Sequence, residues 1–278
     1  MSAKLQFGAS EFQAFRDFLQ SAAGIDLGEN KQYLVSTRVR RILLDYKFSS
    51  LSELTDAIEK NSDRSLKQKV IDAMTTNETF WFRDLYPYEF LSGRLFPELC
   101  EMGKPRTRIW SAACSSGQEP YSISMVAQEY IRSQYSSVKL PLEIMATDLS
   151  SAILESAAKA TFDRLSVSRG LEGLRLKDWF EEVKPELWQV KKQIRDRVSF
   201  RPQNLLEPFS ILGKFDAIFC RNVLIYFSVS HKQEILERLH KSLNRGGYLI
   251  LGSSESLGEA GRLFNTIQIR PGVVFQAR

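Results

Sequence analysis

The stretch WSAACSSGQEPY, residues 110–121, constrains the fold more than any other part of this sequence. It follows a short apolar run and consists of small side chains up to Gly117, after which Pro120 opens a helical pattern. A strand, a loop of small residues and a helix N-terminus in succession are typical of a nucleotide-type site, because small side chains let backbone N–H groups approach a ligand closely. The sequence therefore predicts an α/β fold with a ligand site at this strand end.

Glu119 bears on the kind of ligand that this loop accepts. A carboxylate here would repel a pyrophosphate, but it suits a ribose hydroxyl or a cationic ligand without phosphate. The alternative is an acid that only favours the N-terminus of the helix. The loop alone supports both interpretations equally, and it lacks the G-x-G-x-x-G spacing of dinucleotide sites.

The rest of the sequence divides into a helical first part and a mixed second part. Apolar residues recur at helical spacing in residues 1–85, and strand-like and helical runs alternate from about residue 105 onward, so the sequence predicts one domain over residues 1–85 and another over residues 86–278. Such alternation predicts a mostly parallel sheet covered on both faces. Two β-rich runs around a Pro-Gly turn predict an antiparallel hairpin at the end of the sheet. Residues 161–198 interrupt the alternation and predict a small antiparallel insertion.

Composition points to a globular protein of a reducing compartment. The chain has 278 residues and a net charge of +5, which permits an acidic partner and does not demand nucleic acid. No apolar run has the length of a membrane span, and the first residues lack a signal-peptide core. The three cysteines form no C-x-x-C pair. We expect a cytoplasmic protein that is not inserted in a membrane, and nothing demands more than a monomer.

Polar or ligand-facing residues also stand at the carboxyl ends of the later predicted strands. They are Asp148, Asn204, Leu205, Arg221 and Asn222. Ligands of open α/β sheets bind beyond these strand ends, so a ribose contact for Asp148 and an adenine contact for Asn204 are plausible. The alternatives are a helix N-cap at Asp148, an Asx-type turn at Asn204, and structural hydrogen bonds at the last two.

The segment TTNETFWFRD, residues 75–84, joins the helical part to the sheet part. If it is helical, Asn77, Thr79 and Arg83 share a face that suits a ligand carboxylate. The alternative is a helix cap followed by a buried aromatic stripe. Tyr226, in an apolar run after the fourth predicted strand, is a further polar group that needs a partner.

Arginines cluster on the second predicted helix, where Arg38 and Arg41 share one face and Arg40 lies nearby. This cluster is either a solvated face or a contact surface for acidic helices. No metal site is predicted, because no Cys or His cluster has zinc spacing and His231 and His240 fall on opposite faces of one helix.

Five motifs, in this order, resemble those of the chemotaxis receptor methyltransferases (CheR-type). They are TTNETFWFRD, SAACSSGQEPYSISM, EIMATDLS, QNLL and CRNVLIYF. The sequence departs from the family pattern at Trp81, where Phe is more usual, and at Gln118, where Glu is common. The resemblance implies an all-α N-terminal domain before a Rossmann-like class I methyltransferase sheet, which is mostly parallel with an antiparallel terminal strand and carries an inserted antiparallel β-subdomain.

The resemblance also implies an activity. S-adenosyl-L-methionine would donate a methyl group to glutamate side chains on the cytoplasmic helices of chemoreceptors, leaving S-adenosyl-L-homocysteine and using no metal. Arg83 and Tyr226 would lie nearest the methyl transfer, and Arg38, Arg40 and Arg41 would contact the receptor. The implied cofactor-lining residues are Asn77, Thr79, Arg83, Glu119, Asp148, Asn204, Leu205, Arg221 and Asn222.

Family members differ in whether a receptor C-terminal peptide binds the β-subdomain, and the sequence does not choose between the two cases. The protein would be cytoplasmic and recruited to membrane receptor arrays through the receptors.

Three other functions stay open on the residues alone. A nicotinamide-dependent oxidoreductase is disfavoured by Glu119 and the missing glycine pattern. An RNA methyltransferase lacks an aromatic and basic strand pattern, and a non-catalytic S-adenosylmethionine-binding module would not need both Arg83 and Tyr226.

Overall fold

A computed structural model describes residues 7–60, 64–134 and 138–278 of the chain. Its first part is helical, as predicted. The helices are α1 Ala9–Ala23, α2 Gln32–Asp45, α3 Leu51–Glu59 and α4 Arg64–Met74. Gly24, at φ 71°, ends α1 in the left-handed conformation that glycine tolerates, and the Ser50 side chain caps α3 by accepting from the Glu53 amide. The apolar faces of the four helices enclose a core that includes Phe15, Leu19 and Val39.

The segment after α4 is not helical, so a shared helical face of Asn77, Thr79 and Arg83 is wrong. Residues 75–80 are irregular, and residues 81–84 form a turn. Arg38 stabilises the end of α4, because its guanidinium donates to the carbonyl of Met74 at 2.7 Å and to that of Thr75, the next residue, at 3.1 Å. The turn contains Phe82 and Asp84 at positive φ, and Leu85 follows in the same region.

The second part is built on a sheet of seven of the described strands in the order β6-β2-β1-β7-β8-β10-β9. The strands are β1 Thr107–Ala112, β2 Leu142–Asp148, β6 Val198–Pro202, β7 Phe215–Cys220, β8 Leu243–Leu251, β9 Phe264–Ile269 and β10 Gly272–Ala277. The first five in this order are parallel, and β10 is antiparallel to both β8 and β9. The parallel sheet and its terminal hairpin are therefore confirmed.

Helices cover both faces of this sheet. They are α5 Tyr86–Phe90, which continues through a π-helical turn Leu91–Leu95 into α6 Phe96–Glu101, then α7 Gln118–Ser133, α8 Ser151–Lys159 and α12 Val229–Ser242. Successive residues of β1 point to opposite faces: Ile109 packs in the core under α7, and Trp110 packs in the core under α12. Among the described residues, no helix is long and apolar enough to cross a membrane.

The strand order reverses between β1 and β7. From β1 the chain builds outward to β2 and β6, whereas β7, β8 and the hairpin lie on the other side. At such a switch point the connections leave β1 and β7 in opposite directions, and this opens a crevice beyond their carboxyl ends. The loop 113–117 and the loop 221–223 border that crevice.

The predicted antiparallel insertion is confirmed, but it contains more helix than the sequence indicates. Its elements are β3 Thr161–Asp163, α9 Arg164–Ser168, α10 Gly173–Trp179, β4 Phe180–Lys184, β5 Leu187–Val190 and α11 Lys192–Arg195. The three strands pair antiparallel in the order β3-β5-β4. The insertion ends before Val198, because that residue begins β6 of the main sheet.

The insertion packs against the segment around Trp81, which leads to the main sheet. The Trp81 ring is fully buried edge-on against Phe162 and Phe180, and its indole N–H donates to the Ser166 carbonyl at 3.1 Å. Gly170 also packs against this segment and adopts φ 86°. A Cβ at this position would overlap the Trp81 carbonyl oxygen.

Gly170→Ala should therefore destabilise the protein by at least about 2 kcal/mol, because a left-handed non-glycine residue is strained and its methyl group meets backbone. Urea unfolding would measure the loss. Gly173→Ala is the matched control, since nothing lies within 4 Å of its Cβ position. Equal stability of the two variants would contradict this packing.

Candidate functional site

A single cleft lies beyond the carboxyl ends of β1, β2, β6 and β7. Its volume is about 1020 Å³, including the open mouth, and both the helical part and the sheet part line it. The structure brings every predicted cofactor-lining residue and Tyr226 to its walls. Those residues are Asn77, Thr79, Arg83, Glu119, Asp148, Asn204, Leu205, Arg221, Asn222 and Tyr226.

The floor of the cleft is the loop of small residues between β1 and α7. Ala113 and Ser115 adopt positive φ values of 61° and 51°, and Gly117 adopts 93°. The Asp148 carboxylate holds this loop by accepting the Ser115 amide at 2.8 Å, and the Ser115 hydroxyl donates to the Asn77 carbonyl at 2.8 Å. Small side chains and a fixed backbone therefore leave space for a ligand directly above the sheet.

Asp148 is not the N-cap of α8. Ser150 has that role, because its side chain accepts the Ile153 amide. Asp148 instead accepts the Ser150 amide with Oδ1 at 3.0 Å and the Ser115 amide with Oδ2. Burial raises the pKa of this carboxyl, although the backbone N–H groups of Ser150 and Ser115 oppose the rise. It is thus a buried acceptor with unshared lone pairs at the cleft.

Glu119 does not serve as a helix-capping acid either. Its Oε1 accepts the Ser111 hydroxyl at 2.7 Å, and its Oε2 accepts Arg221 Nη1 at 3.1 Å. Burial raises the pKa of Glu119, and the Arg221 guanidinium opposes that rise. The carboxylate therefore sits at the base of the cleft, compensated by one cation and one hydroxyl.

Arg221 connects this base to the strained turn. Its side chain is only 2% exposed, and Nη2 donates to the Arg83 carbonyl at 3.0 Å and to Asp84 Oδ2 at 2.6 Å. Burial lowers the pKa of Arg221, but the Glu119 and Asp84 carboxylates raise it, and the net shift is upward. The guanidinium is thus a permanent cation between two carboxylates.

Arg83 and Tyr226 line the cleft from two different turns of the chain. The Arg83 guanidinium lies 5.3 Å from the centre of the Phe80 ring, and its hydrogen bond to the Glu78 carbonyl is long, at 3.5 Å. Tyr226 ends a short 3-10 turn, and its carbonyl accepts the Asp26 amide at 2.8 Å. The backbone of each residue is fixed while its polar group remains available to a ligand.

For Asn204 the structure favours the Asx turn. Oδ1 accepts the Leu206 amide at 3.0 Å, and Nδ2 donates to the Ala22 carbonyl at 2.8 Å. The side-chain amide is therefore used to join α1 to the loop after β6. Leu205 is buried beside it and gives the cleft an apolar wall.

The three arginines of α2 are not equivalent. Arg38 turns inward and bonds to the end of α4 and to Thr76 Oγ1 at 3.0 Å, so it supports the cleft wall. Arg40 is exposed, and the Arg41 side chain is 91% exposed with only a 3.6 Å ion pair to Asp45. The outward-facing charge of this helix is thus carried by Arg40 and Arg41.

Sequence reasoning missed the part played by Asp84. It stands inside a motif singled out above, but the reason for its presence is an ion pair with Arg221, 137 residues away. The spacing of neighbouring residues in the sequence cannot indicate such a distant pair.

In the described ranges, no three His, Cys, Asp or Glu side chains lie together in a way that could hold a metal ion.

Comparison with known proteins agrees with this architecture. Residues 10–75 match the model of the CheR methyltransferase all-alpha domain, and residues 77–273 match the model of the CheR methyltransferase SAM binding domain. The chain belongs to the CheR methyltransferase family. It is 48% identical to chemotaxis protein methyltransferase Cher2 of Pseudomonas putida, over 98% of this chain and 99% of that protein. It is 47% identical to chemotaxis protein methyltransferase 1 of Pseudomonas aeruginosa, over 97% and 98%.

The cleft of this CheR-family chain fits S-adenosylmethionine. The ligand has no pyrophosphate, in keeping with two buried carboxylates in place of a phosphate-binding nest. Asn222 Oδ1 is buried without a partner in the described part of the chain, so it is an acceptor that an amino group of the ligand can satisfy. Glu119 and Asp148 would accept ribose or amino hydrogens, and Leu205 would contact the adenine face.

Binding of S-adenosylhomocysteine should weaken as the pH falls toward the ordinary carboxyl range near 4, because burial raises the pKa of Glu119 and Asp148, so that both carboxyls begin to take up protons above that range. Protonation removes an acceptor and weakens the attraction between Glu119 and Arg221. Calorimetry at each pH measures this, and Glu119→Gln should bind more weakly with a flatter pH dependence. An affinity that stays constant over the range would contradict the assignment.

Proposed function

We propose that this chain transfers the methyl group of S-adenosylmethionine to glutamate side chains on the cytoplasmic helices of chemoreceptors, giving methyl esters. The observation that supports it most is that Arg83 and Tyr226 line the same cleft as the residues that fit the cofactor. Membership of a family of chemotaxis methyltransferases supports the choice of substrate. The role would be adaptation of the chemotactic response.

The chemistry needs little from the protein beyond positioning. When bound, the cofactor supplies an electrophilic methyl group on a sulfonium centre. A glutamate with a pKa near 4.3 is already ionised at about pH 7, so no general base is required. The anionic nucleophile and the sulfonium cation neutralise each other along the reaction path, so a pocket that excludes water would favour the transition state.

In this proposal Arg83 orients a carboxylate, either that of the incoming glutamate or that of the cofactor. Too tight an ion pair would reduce the reactivity of the nucleophile, so the loose contacts of Arg83 suit an orienting role. Tyr226 would donate a hydrogen bond near the reacting oxygen. The remaining cofactor contacts would come from Asn77, Thr79, Glu119, Asp148, Asn204, Leu205, Arg221 and Asn222.

Receptor contacts would come from the outward face of α2. Arg40 and Arg41 carry exposed charge suited to acidic helices, and Arg38 would act there through its hold on the cleft wall. We assign substrate recognition to the helical domain of residues 1–85, whose closing linker carries Arg83, and S-adenosylmethionine-dependent methyl transfer to the domain of residues 86–278. The insertion at about 161–198 would be the place for a receptor C-terminal peptide if one is bound. A cytoplasmic monomer recruited to receptor arrays through the receptors would suffice.

The test uses radiolabelled S-adenosylmethionine and an isolated chemoreceptor cytoplasmic domain. Mild alkali should release counts as volatile methanol, because methyl esters hydrolyse readily. The counts should disappear when the methyl-accepting glutamates of the receptor are changed to alanine. Absence of volatile counts while S-adenosylhomocysteine still binds would refute the proposed substrate and leave the cofactor site intact.

Arg83→Ala should lower kcat about 100-fold and Tyr226→Phe about tenfold, since each removes one positioned donor. The same methanol assay at saturating cofactor measures both. Arg245→Ala changes an exposed arginine away from the cleft and is the control. A near-full rate for either variant would remove that residue from the mechanism.

A further inference from the structure

The Glu255 side chain accepts hydrogen bonds from a set of four backbone N–H groups. Oε2 accepts the amides of Asn222 at 2.7 Å and Gly252 at 2.8 Å. Oε1 accepts the amides of Val223 at 2.9 Å and Leu224 at 2.7 Å. An ionised carboxylate has about four acceptor sites, so this arrangement uses its capacity fully.

The amides that Glu255 collects come from two different strand ends. Asn222, Val223 and Leu224 follow β7 and open the 3-10 turn that ends at Tyr226. Gly252 follows β8. Amides at the start of a helical turn have no partner within the turn, and a carboxylate there is favoured by the aligned backbone dipoles. Glu255 therefore caps the Tyr226 turn from a remote place in the sequence.

The backbone that Glu255 holds is strained and closely packed. Asn222 adopts φ 57°, a left-handed conformation that costs free energy and persists only where the surroundings impose it. Gly252 has no space for a side chain, because a Cβ would lie 2.7 Å from Asn222 Nδ2, 2.8 Å from Glu255 Oε2 and 2.9 Å from the Asn222 amide nitrogen. The Glu255 carboxylate and the absence of a side chain at Gly252 together fix the backbone conformation of the loop that begins at Asn222.

The geometry points to Glu255 as a positioning residue for the cofactor and methyl-transfer loop. It does not line the cleft, whereas Asn222 and Tyr226 do. By fixing three consecutive amides, it sets where the unpartnered Asn222 Oδ1 points and where the Tyr226 turn ends. This inference rests on the proposed function for Tyr226, but the placement of Asn222 is tested by cofactor-product binding alone.

Glu255→Gln is the sharpest variant, because the side chain keeps its size. A glutamine has one oxygen, and its NH₂ group would face two of the four N–H donors. We expect the Kd for S-adenosylhomocysteine to rise at least about tenfold, since hydrogen bonds to a charged acceptor are the strong ones. Glu259→Gln, a nearby exposed glutamate, is the matched control and should bind as the wild type does.

A second variant disturbs the same contact without neutralising the carboxylate. Gly252→Ala places a methyl group against both Glu255 Oε2 and Asn222 Nδ2, so it should displace the loop and weaken S-adenosylhomocysteine binding in the same direction. Calorimetry gives Kd, and circular dichroism establishes that each variant is folded. Wild-type affinity in a folded Glu255→Gln or Gly252→Ala variant would overturn the inference.

Hydrogen exchange on the unaltered protein tests the contact even if both variants fail to fold. The amides of Asn222, Val223 and Leu224 should exchange slowly although they lie in a loop, and rapid exchange of all three would overturn the inference.

A kinetic cycle then separates positioning from general stability. Tyr226→Phe should lower kcat about tenfold in the wild type but less than about threefold beside Glu255→Gln, because coupled residues are not additive. An equal loss in both backgrounds would refute action through Tyr226. The binding and exchange measurements use no receptor, so they stand apart from any failure of the proposed substrate.

Discussion

The buried guanidinium of Arg221 is the interaction on which the site depends. It pairs with Glu119 at the base of the cleft and with Asp84 in the turn after α4, and it donates to the Arg83 carbonyl. Removing a cation from water costs several kcal/mol, which only close partners offset, and loss of one partner from such a group typically costs about 3–5 kcal/mol. The pairing therefore specifies one arrangement of the loop after β7, helix α7 and the linker between the two parts.

Strained backbone gathers around this same point. Ala113 and Ser115 in the β1–α7 loop, Asn222 after β7, and Phe82 in the linker all adopt positive φ without being glycine. Each such residue costs about 1–3 kcal/mol and needs surroundings that impose its conformation. Two carboxylates impose these conformations. Asp148 accepts the Ser115 amide, and Glu255 accepts the amide of Asn222. The cleft is consequently a preformed one.

Much of the fold followed from patterns within the sequence. Strand-like runs alternating with helical runs predicted the parallel sheet, and the terminal β-rich pair predicted the hairpin. Positions at strand ends placed Glu119, Asp148 and Arg221 at one edge, because parallel strands end together at the switch point. These predictions succeed because the periodicity of each segment and the order of the segments can both be read directly along the sequence.

The remaining features depend on contacts between distant residues. Arg38 bonds to the carbonyl at the end of α4, beyond which residues 75–80 are irregular, and Asn204 bonds within a turn and to Ala22. The ion pair of Asp84 spans 137 positions. Local propensity has no access to these partners, so the sequence pattern predicted a helical face for residues that are not helical and did not choose between a turn and an adenine contact for Asn204.

Coupling between Asp84 and Arg83 tests the central claim that Arg221 sets the geometry of the cleft mouth. Methyl-transfer rates would be compared for Asp84→Asn in the wild-type background and in an Arg83→Ala background, with S-adenosylhomocysteine affinity as a check on folding. If the ion pair acts by placing Arg83, Asp84→Asn should lower kcat about tenfold when Arg83 is present and less than about twofold when it is absent. An equal reduction in both backgrounds would contradict the account.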